Sequence, residues 1–365
     1  MIKVGSDFSG VGAFDQALKR LGIDYETIFA CDMDKYARQT FIENYGEPKY
    51  YPENVYNREI PKESVDIYMT SPPCQAFSIA GNRKGESEDR GVLFYNSHEF
   101  ILKNKPRYFI FENVKGLLSD DGGKTFQRWI DYLSKSVNGQ PVIFPHEESA
   151  NYHVYHKVLN SKDYGVPQNR ERIFIIGIRD DADNSFIFPP KEHLTKRLKD
   201  VLEYDVDEKY FLSDKNIENL LIYNKRQEEN NRGFSAKFRD IEKTDTMDAL
   251  KCGGGGTYDL IKVSKEVRTE ESKKKRKETG TNDFRGKQIE FREQDYVGTI
   301  TTAPTKDNLI ITNKIRRLTP RECFRLQDFP DSFKMPCSDS QMYKQAGNSI
   351  TVGVLEKIIN RLIKI

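Results

Sequence analysis

Five short apolar runs, separated by helical or polar stretches, constrain the fold of this chain most strongly. Between the first two runs, Phe14, Ala17 and Leu18 recur at the spacing of one helix face. Strands that are apolar on both faces and alternate with helices are typical of a parallel sheet that helices cover on both sides. The sequence therefore predicts an α/β fold with a doubly wound, mostly parallel sheet. The runs are Ile2–Ser6, Thr27–Cys31, Val65–Thr70, Tyr108–Phe111 and Arg172–Ile178.

The third run ends at Ser71-Pro72-Pro73, and Cys74 is the next residue. Proline fixes its own φ angle and has no N–H, so the chain must turn out of the sheet there. The carboxyl edge of a parallel sheet is where α/β proteins bind their ligands. A free cysteine is commonly a small buried apolar residue, but the position of Cys74 favours a nucleophile. The buried, inert interpretation is kept for Cys31, Cys252, Cys323 and Cys337.

The turn after the first run carries Asp7, Gly10 and Gly12 and leads into a helix. Glycines allow close approach of a backbone, and a helix N-terminus offers free N–H groups to an anionic ligand. Asp32 follows Gly12 by 20 residues at the end of the next strand, where a carboxylate can accept hydrogen bonds from ribose hydroxyls. The third glycine of a dinucleotide-binding turn is missing, which favours a smaller nucleoside ligand.

Acidic and basic residues at two further strand ends could act with Cys74. Glu112 follows the fourth run and is a candidate acid or base, or alternatively a cap of the next segment. Arg170 and Arg172 lie two apart at the start of the fifth run and could fork onto a phosphate or a base carbonyl. Salt bridges with Glu171 or Asp163 are an equally open interpretation of the two arginines.

The composition of the chain excludes few functions, but it limits the kinds of partner and cell compartment that are expected. The chain has 365 residues and a net charge of +2, so a nucleic-acid partner must be recognised by local patches. The five cysteines include no CxxC pair, and no signal peptide is evident, which fits a reducing cytosol. No apolar stretch approaches the roughly 20 residues of a membrane span. No cluster of histidines and cysteines indicates a metal site.

Taken together, these motifs resemble the cytosine-5 DNA methyltransferases of bacterial and phage type, and the resemblance covers nearly the whole chain. Two positions depart from the family pattern: Asp32 stands where Glu is more common, and Asn54 where Asp is usual. The matching blocks, in chain order, are Asp7–Gly12, Asn54-Val55, Pro73-Cys74-Gln75 with Phe77-Ser78, Asp89–Phe94, Glu112-Asn113-Val114, Gln168–Arg172, Arg317–Cys323 with Arg325–Gln327, and Gln345–Ile350.

The resemblance implies a Rossmann-like fold and transfer of a methyl group from S-adenosyl-L-methionine, without a metal, to carbon 5 of a cytosine flipped out of double-stranded DNA. Carbon 5 is a poor nucleophile, so Cys74 would first attack carbon 6. Glu112 would bond ring nitrogen 3 and the exocyclic amine, with Arg172 on the base carbonyl and Arg170 beside them. The loop from Gln75 to Phe94 would close over the site, with Gln75, Ser78 and Arg90 toward the DNA. The implied cofactor residues are Asp7, Phe8, Ser9, Gly10, Gly12, Asp32, Met33, Asn54, Val55, Pro73, Leu93, Asn348 and Ser349.

The domain organisation expected from the pattern has three parts. Residues 1–188 form the catalytic and cofactor-binding domain, and residues 189–313 a smaller, mostly β target-recognition domain. Residues 314–365 return to the first domain with a helix that starts near Ile350 and brings Asn348 and Ser349 to the cofactor. The basic run Lys273–Lys277 is a solvated loop or a contact to phosphates. A monomer in the cytoplasm of a bacterium or a phage-infected cell is expected, with a restriction endonuclease as a possible functional partner.

Three other functions stay open at the level of sequence. Thr70-Ser71-Pro72-Pro73 also begins the motif of exocyclic-amino methyltransferases, but an aromatic residue follows there and Cys74 follows here. A cytosine-5 methyltransferase acting on RNA shares the chemistry, although the Cys-Phe-Thr motif of the branch that modifies transfer RNA is absent. An inactive DNA-binding module is disfavoured by the presence of Cys74, Glu112 and Arg172 together.

Overall fold

The computed structural model describes residues 1–73, 93–182, 185–229, 237–240, 244–250, 259–268 and 309–364. These described residues divide into two compact units. The first takes in the described parts of 1–202, 245–255 and 320–365, and the second those of 203–244 and 256–319. Among the described helices, none is long and apolar enough to cross a membrane.

Five of the described strands coincide with the five apolar runs, and the others lie between or after those runs. The strands are β1 (Ile2–Asp7), β2 (Tyr25–Cys31), β3 (Ile67–Thr70), β4 (Tyr108–Val114), β5 (Ser134–Val137), β6 (Gln140–Pro141), β7 (Tyr152–Asn160), β8 (Gln168–Asn169), β9 (Glu171–Ile178), β10 (Lys237–Asp240), β11 (Met247–Asp248), β12 (Asp259–Arg268) and β13 (Leu309–Arg317). The α-helices are α1 (Ala13–Arg20), α2 (Lys35–Tyr45), α3 (Leu93–Asn104), α4 (Lys124–Leu133), α5 (Asp214–Glu229), α6 (Pro320–Arg325), α7 (Asp339–Asn348) and α8 (Val352–Ile363). Short 3-10 helices span Val55–Asn57, Lys115–Gly123, Ser161–Tyr164, Leu198–Val201 and Glu208–Tyr210.

The first unit is built on an eight-stranded sheet with the order β2-β1-β3-β4-β9-β7-β5-β6. Residues 108–113 of β4 are all buried, although successive side chains point to opposite faces of a strand. Both faces of the sheet are therefore covered, as continuous apolar runs require. Gly177 of β9 shows how closely one face packs, because a Cβ atom there would lie 2.0 Å from the ring of Phe109. The α/β fold expected from the sequence is confirmed.

The direction of β9 differs from the expectation of a parallel strand. β1, β2, β3 and β4 pair in parallel, whereas β9 runs antiparallel to both β4 and β7. The sheet is therefore mixed. Because β9 is reversed, its first residues lie at the edge where β1, β3 and β4 end, and Arg172 pairs with Val114.

The second unit contains a three-stranded sheet with the order β10-β12-β13, in addition to helix α5. β12 and β13 form its long antiparallel pair, with Leu260 opposite Arg317. Leu260 and Ile261 are buried. The expected boundary after residue 313 falls inside β13, because the hydrogen bonds of that strand continue to Arg317.

Two stretches assigned by sequence to the recognition segment pack instead in the first unit. Residues 189–202 belong to it, and Leu198 and Val201 are fully buried there. Strand β11 pairs in parallel with β8, and the N–H of Met247 donates to the carbonyl of Pro167 at 2.8 Å. The second unit therefore begins at residue 203 and is interrupted near residue 245.

The C-terminal segment packs on the first unit through α8, which lies against α1. Arg20 of α1 anchors it by donating to Asp328 at 2.6 Å and pairing with Glu356 of α8 at 2.8 Å. Seven residues of α8, including Val352, Leu355, Ile358 and Ile359, are buried. The apolar face of α8 and the Arg20 ion pairs together hold the C-terminal segment against the start of the chain.

Candidate active site

The carboxyl ends of β1 to β4 and the start of β9 meet at one edge of the large sheet. β1 lies between β2 and β3, so the strand order reverses at its end, which is where ligands bind in doubly wound sheets. Asp7 ends β1, Thr70 ends β3, and Glu112 lies near the end of β4. The topology thus brings together the residues that the sequence placed at strand ends.

The loop after β1 alternates left-handed residues with others. Phe8, Gly10 and Gly12 have φ angles of 56°, 55° and 81°. Glycine adopts this region without strain, whereas Phe8 does so at a cost. Gly12 also has no room for a side chain, because a Cβ atom would lie 2.3 Å from the ring of Tyr45. The two glycines therefore fix a tight turn that leads directly into α1.

Asp32 fixes the same loop from the neighbouring strand end. One carboxylate oxygen accepts from the N–H of Gly10 and the other from the N–H of Asp34, both at 2.8 Å. Burial raises the pKa of Asp32 above its ordinary value, and these N–H groups oppose the rise. Each carboxylate oxygen keeps a second lone pair with which it could accept from a ribose hydroxyl.

A small apolar cluster lies beside the loop. Cys31, Val55 and Leu93 are buried, and Phe8 packs against them. Asn54 caps the Val55–Asn57 helix by accepting from the N–H of Tyr56 at 2.9 Å. Apolar side chains next to a glycine-containing loop are the surroundings that suit a flat heterocycle with a polar tail. Met33, which the sequence also proposed, is 83% exposed.

Ser9 connects the loop to a second set of side chains. Its hydroxyl lies 3.2 Å from that of Tyr51, and Arg38 stacks on the Tyr51 ring at 4.1 Å from the centroid. The guanidinium of Arg38 also donates to the Tyr51 carbonyl at 2.7 Å. These contacts from Ser9 and Arg38 therefore position the Tyr51 side chain beside the loop.

The C-terminal segment reaches this region through α7, which bonds to α2. Lys344 pairs with Asp34 at 2.6 Å, and Gln345 accepts from Thr40 at 2.9 Å. Asn348, the last residue of α7, is exposed, whereas Ser349 is buried and donates to the carbonyl of Ile350. The two proposed cofactor residues thus lie at the end of a helix that is bonded next to Asp32.

Glu112 and Arg172 form the clearest polar pair at this edge. The Nε of Arg172 donates to Glu112 at 3.0 Å, and the Glu112 side chain is only 9% exposed. Burial raises the pKa of the Glu112 carboxyl, while the guanidinium groups of Arg172 and Arg170 lower it, and the net direction is upward. A carboxyl with a raised pKa is a better proton donor to a bound ring nitrogen than an ordinary carboxyl.

The turn that precedes Cys74 is held by the residue after Glu112. The side-chain amide of Asn113 donates to the carbonyl of Pro72 at 3.3 Å. Pro73 is the last described residue before residue 93. Cys74, Gln75, Ser78 and Arg90 lie outside the described residues, so their predicted roles stay predictions.

Arg170 and Arg172 donate to different groups. Arg170 is 3% exposed, and its guanidinium donates to the carbonyls of Gly347 and Ser349 at 3.2 and 2.8 Å. Arg172 pairs with Glu112 rather than with Glu171 or Asp163, the two acids that the sequence offered as partners. Those acids pair with Lys115 and Lys191. Arg170 joins the segment before β9 to the end of α7.

Sequence reasoning missed three residues that shape the site. Asn113 was seen only as part of a motif, and Arg58 and Tyr68 received no role. Both Arg58 and Tyr68 bond to the carboxylate of Asp7, at 2.7 and 2.6 Å. In the sequence, Arg58 and Tyr68 are only an arginine and a tyrosine in or near an apolar run. That pattern does not identify Asp7, 51 and 61 residues away, as their partner. Within the described ranges, no group of acidic, histidine or cysteine residues could hold a metal ion.

Comparison with known proteins agrees with this geometry. Residues 2–364 match the family model of the C-5 cytosine-specific DNA methylases. The orphan methyltransferase M.SPRI of Bacillus phage SPR is 32% identical, covering 99% of this chain and 97% of its own. The type II methyltransferase M.HpaII of Haemophilus parainfluenzae is 33% identical, covering 97% and 88%. The crystal structure of the S. pombe Dnmt2 methyltransferase has the same fold, with a TM-score of 0.65, 17% identity and coverage of 100% and 99%.

Proposed function

The chain belongs to the C-5 cytosine-specific DNA methylases and methylates cytosine at carbon 5 in DNA, and from this premise we propose which of its residues perform the reaction. The methyl donor is S-adenosyl-L-methionine and the nucleophile is Cys74. Glu112 and Arg172 bind the cytosine. The observation that carries the proposal is the buried Glu112–Arg172 pair, at the sheet edge where Asn113 holds the turn that leads to Cys74.

The residues around the β1 loop fit the proposed cofactor. The apolar cluster of Phe8, Val55 and Leu93 suits an adenine ring, and Asp32 suits ribose hydroxyls. The left-handed loop turns Gly10 and Gly12 so that the backbone can approach a ligand closely. When bound, the cofactor supplies a methyl group on a positively charged sulfur. Ser9, Met33, Asn54, Pro73, Asn348 and Ser349 complete the proposed binding set.

Methyl transfer requires the chain to make carbon 5 of the cytosine nucleophilic. The Cys74 thiolate forms a bond to carbon 6, and the electron pair of the 5,6 double bond moves into the ring toward nitrogen 3 and the carbonyl. Glu112, whose pKa is raised by burial, shares its proton with nitrogen 3, and Arg172 donates to the base carbonyl. Carbon 5 would then take the methyl group as the bond from that group to the cofactor sulfur breaks, leaving S-adenosyl-L-homocysteine. A base removes the carbon 5 proton, the electron pair of that C–H bond re-forms the 5,6 double bond, and the Cys74 thiolate leaves carbon 6.

Arg170 is proposed as a positioning residue. It holds the carbonyls of Gly347 and Ser349 and lowers the pKa of Glu112 from nearby, so it connects the cofactor side of the site to the base side. The chemistry cannot occur inside a base stack, so the cytosine must be flipped out of double-stranded DNA. Gln75, Ser78 and Arg90 are proposed to contact the DNA.

The wider context is also a proposal. Recognition of the DNA sequence is assigned to the second unit, because the proposed catalytic residues all lie in the first. The second unit runs from residue 203 to residue 319 except for residues 245–255, which contain β11 and belong to the first unit. The phage and type II relatives support a setting in the cytoplasm of a bacterium or of a phage-infected cell, and pairing with a restriction endonuclease. A monomer is proposed.

A covalent trap tests the nucleophile directly. DNA that contains 5-fluorocytosine has no removable proton at carbon 5, so the adduct with Cys74 should persist and survive denaturation when S-adenosylmethionine is present. Cys74→Ser should lose both turnover and adduct but still bind the cofactor. Cys337→Ser is the matched control, because Cys337 is a free, half-buried cysteine outside the proposed site, and it should keep both.

Two results would contradict the proposal. An adduct that survives in Cys74→Ser would place the nucleophile elsewhere. Incubation with tritiated S-adenosylmethionine, followed by nucleoside analysis, should yield labelled 5-methylcytosine from duplex DNA. Label found only in transfer RNA, or on the exocyclic amine, would reject the assigned substrate or the assigned atom.

A further inference from the structure

Arg58 is a buried arginine that bonds to the start of the cofactor loop. Its side chain is 2% exposed, and Nη2 donates to Asp7 Oδ2 at 2.7 Å. The same nitrogen lies 3.3 Å from the carbonyl oxygen of Asn96. Its guanidinium carbon lies 4.9 Å from the ring centroid of Phe100 and 5.7 Å from that of Phe29. The cation therefore lies beside two aromatic rings and is paired with the carboxylate of Asp7.

The position of Asp7 depends on this pair. The Asp7 side chain has no exposed surface, and it also accepts from the hydroxyl of Tyr68 at 2.6 Å. Its other oxygen, Oδ1, has no partner among the described residues, and neither has the Nε of Arg58. Burial raises the pKa of Asp7, and Arg58 is the first group that lowers it. Removing one partner of a buried ion pair leaves an uncompensated charge, so Asp7 would move or take up a proton without Arg58.

The guanidinium joins the three segments that carry the apolar walls of the proposed cofactor pocket. Phe8 follows Asp7 directly, Val55 precedes Arg58 by three residues, and Leu93 precedes Asn96 by three residues. Phe8, Val55 and Leu93 pack in one cluster. The Arg58 side chain thus connects the loop, the 3-10 helix and the first turn of α3 close to the apolar residue that each of them contributes to the cluster.

Phe8 adds a reason why this connection matters. Its φ angle of 56° is unfavourable for a residue with a side chain, so the surrounding structure must hold it there. The residue before it is Asp7, which Arg58 and Tyr68 fix by two short hydrogen bonds. Without them the loop could relax to an ordinary φ, which would carry the Phe8 ring away from Val55 and Leu93.

We propose that Arg58 is a positioning residue for the cofactor, which holds the pocket walls in their binding arrangement through Asp7 and Asn96 and takes no part in the chemistry at the cytosine. The inference rests on the proposed function, since it assumes that S-adenosylmethionine binds at this loop. Arg58 then sets the fraction of molecules that are competent to bind the cofactor. If that fraction falls to about a tenth, the apparent affinity falls about 10-fold.

The test compares Arg58→Met and Arg58→Lys with the matched control Arg179→Met. Arg179 also forms an arginine–aspartate pair, with Asp181 at 2.6 Å, but at the surface of the same unit. Calorimetry measures the Kd for S-adenosylmethionine without DNA, and steady-state kinetics give kcat at saturating cofactor. We expect about 10-fold weaker cofactor binding in Arg58→Met, a smaller loss in Arg58→Lys, and no change in the control. Saturating kcat and the affinity for cytosine-containing DNA without cofactor should stay near those of the unaltered chain.

Each alternative outcome decides the inference. A folded Arg58→Met with unchanged cofactor affinity overturns it, and so does an equal loss of cofactor affinity, DNA affinity and saturating kcat, which would mean a general structural role. If Arg58→Met fails to fold, as judged by the near-ultraviolet circular dichroism of Trp129, then Arg58→Lys decides: weaker cofactor binding supports the inference and unchanged binding overturns it. If the unaltered chain does not bind S-adenosylmethionine, the proposed function is overturned together with this inference. If the unaltered chain binds it and the Arg58 variants bind it equally well, only this inference is overturned.

Discussion

Replacing Asp15 by asparagine should raise the free energy of unfolding relative to that of the unaltered chain, and this gain should grow as the pH rises from 5 to 8. Asp15 lies in the first turn of α1, directly after the cofactor loop, and is 1% exposed. Burial raises the pKa of its carboxyl from 3.8 to about 7. The groups that oppose the rise are the hydroxyl of Thr27, at 3.2 Å, and a backbone N–H, and no cation within the described residues is among them.

The sign follows from proton binding. Between pH 3.8 and about 7 the unfolded chain has lost the Asp15 proton while the folded chain keeps it. The free energy of unfolding therefore falls as the pH rises, by about 1.4 kcal/mol per pH unit, until the folded carboxyl also ionises. Asparagine resembles the neutral acid and can still accept from Thr27, so its stability lacks this slope. Between pH 5 and pH 7 the difference between Asp15→Asn and the unaltered chain should grow by about 2 kcal/mol, because the folded carboxyl begins to ionise near pH 7, and it should level off above about pH 8.

Urea unfolding at several pH values measures this difference. Trp129 is the single tryptophan, is 1% exposed and lies in the core of the same unit, so its fluorescence reports on that unit. Midpoints are compared at equal m-values. Asp24→Asn is the control, because the Asp24 side chain is 83% exposed and its replacement should leave the pH dependence unchanged. Parallel curves for Asp15→Asn and the unaltered chain would mean that Asp15 ionises normally, and a reversed sign would mean that a cation stabilises its charge.

Two further predictions concern the reaction and DNA recognition. Glu112→Gln should lower turnover by roughly 10²-fold or more at nearly unchanged cofactor affinity, because the amide reverses part of the hydrogen-bond pattern offered to nitrogen 3. The control is Glu99→Gln, because Glu99 forms an exposed ion pair with Lys103. Near-normal turnover of Glu112→Gln would reject a catalytic role for Glu112. Neutralising Lys273–Lys277 should weaken binding to all DNA alike and flatten its salt dependence without moving the methylated site. Exchanging the second unit, residues 203–244 and 256–319, with that of a relative of different specificity should move the methylated site. Bisulfite sequencing of plasmid DNA checks both, and a changed target in the basic-run variant would show that this run reads bases.

Local sequence determined the elements of the fold and the place of the site. The apolar runs fixed β1, β2, β3, β4 and β9, because a strand buried on both faces needs apolar residues on both. Gly10 and Gly12 marked the tight turn, since their left-handed φ angles suit glycine. Glu112 lies at the predicted edge because it comes near the end of its strand. Each of these features depends on neighbours in sequence, so a single sequence is sufficient to predict them.

Tertiary structure decided which of these elements meet, and in which direction. An apolar run reads alike in a parallel or an antiparallel strand, so only pairing with β4 showed that β9 is reversed and carries Arg172 to Glu112. Arg170 bonds to carbonyls 177 and 179 residues away, and Arg58 finds Asp7 across 51 residues. Strand β11 returns to β8 from within the recognition segment. Buried polar groups must find partners once water is excluded, and the partner available is set by the packing of the whole unit rather than by spacing along the chain.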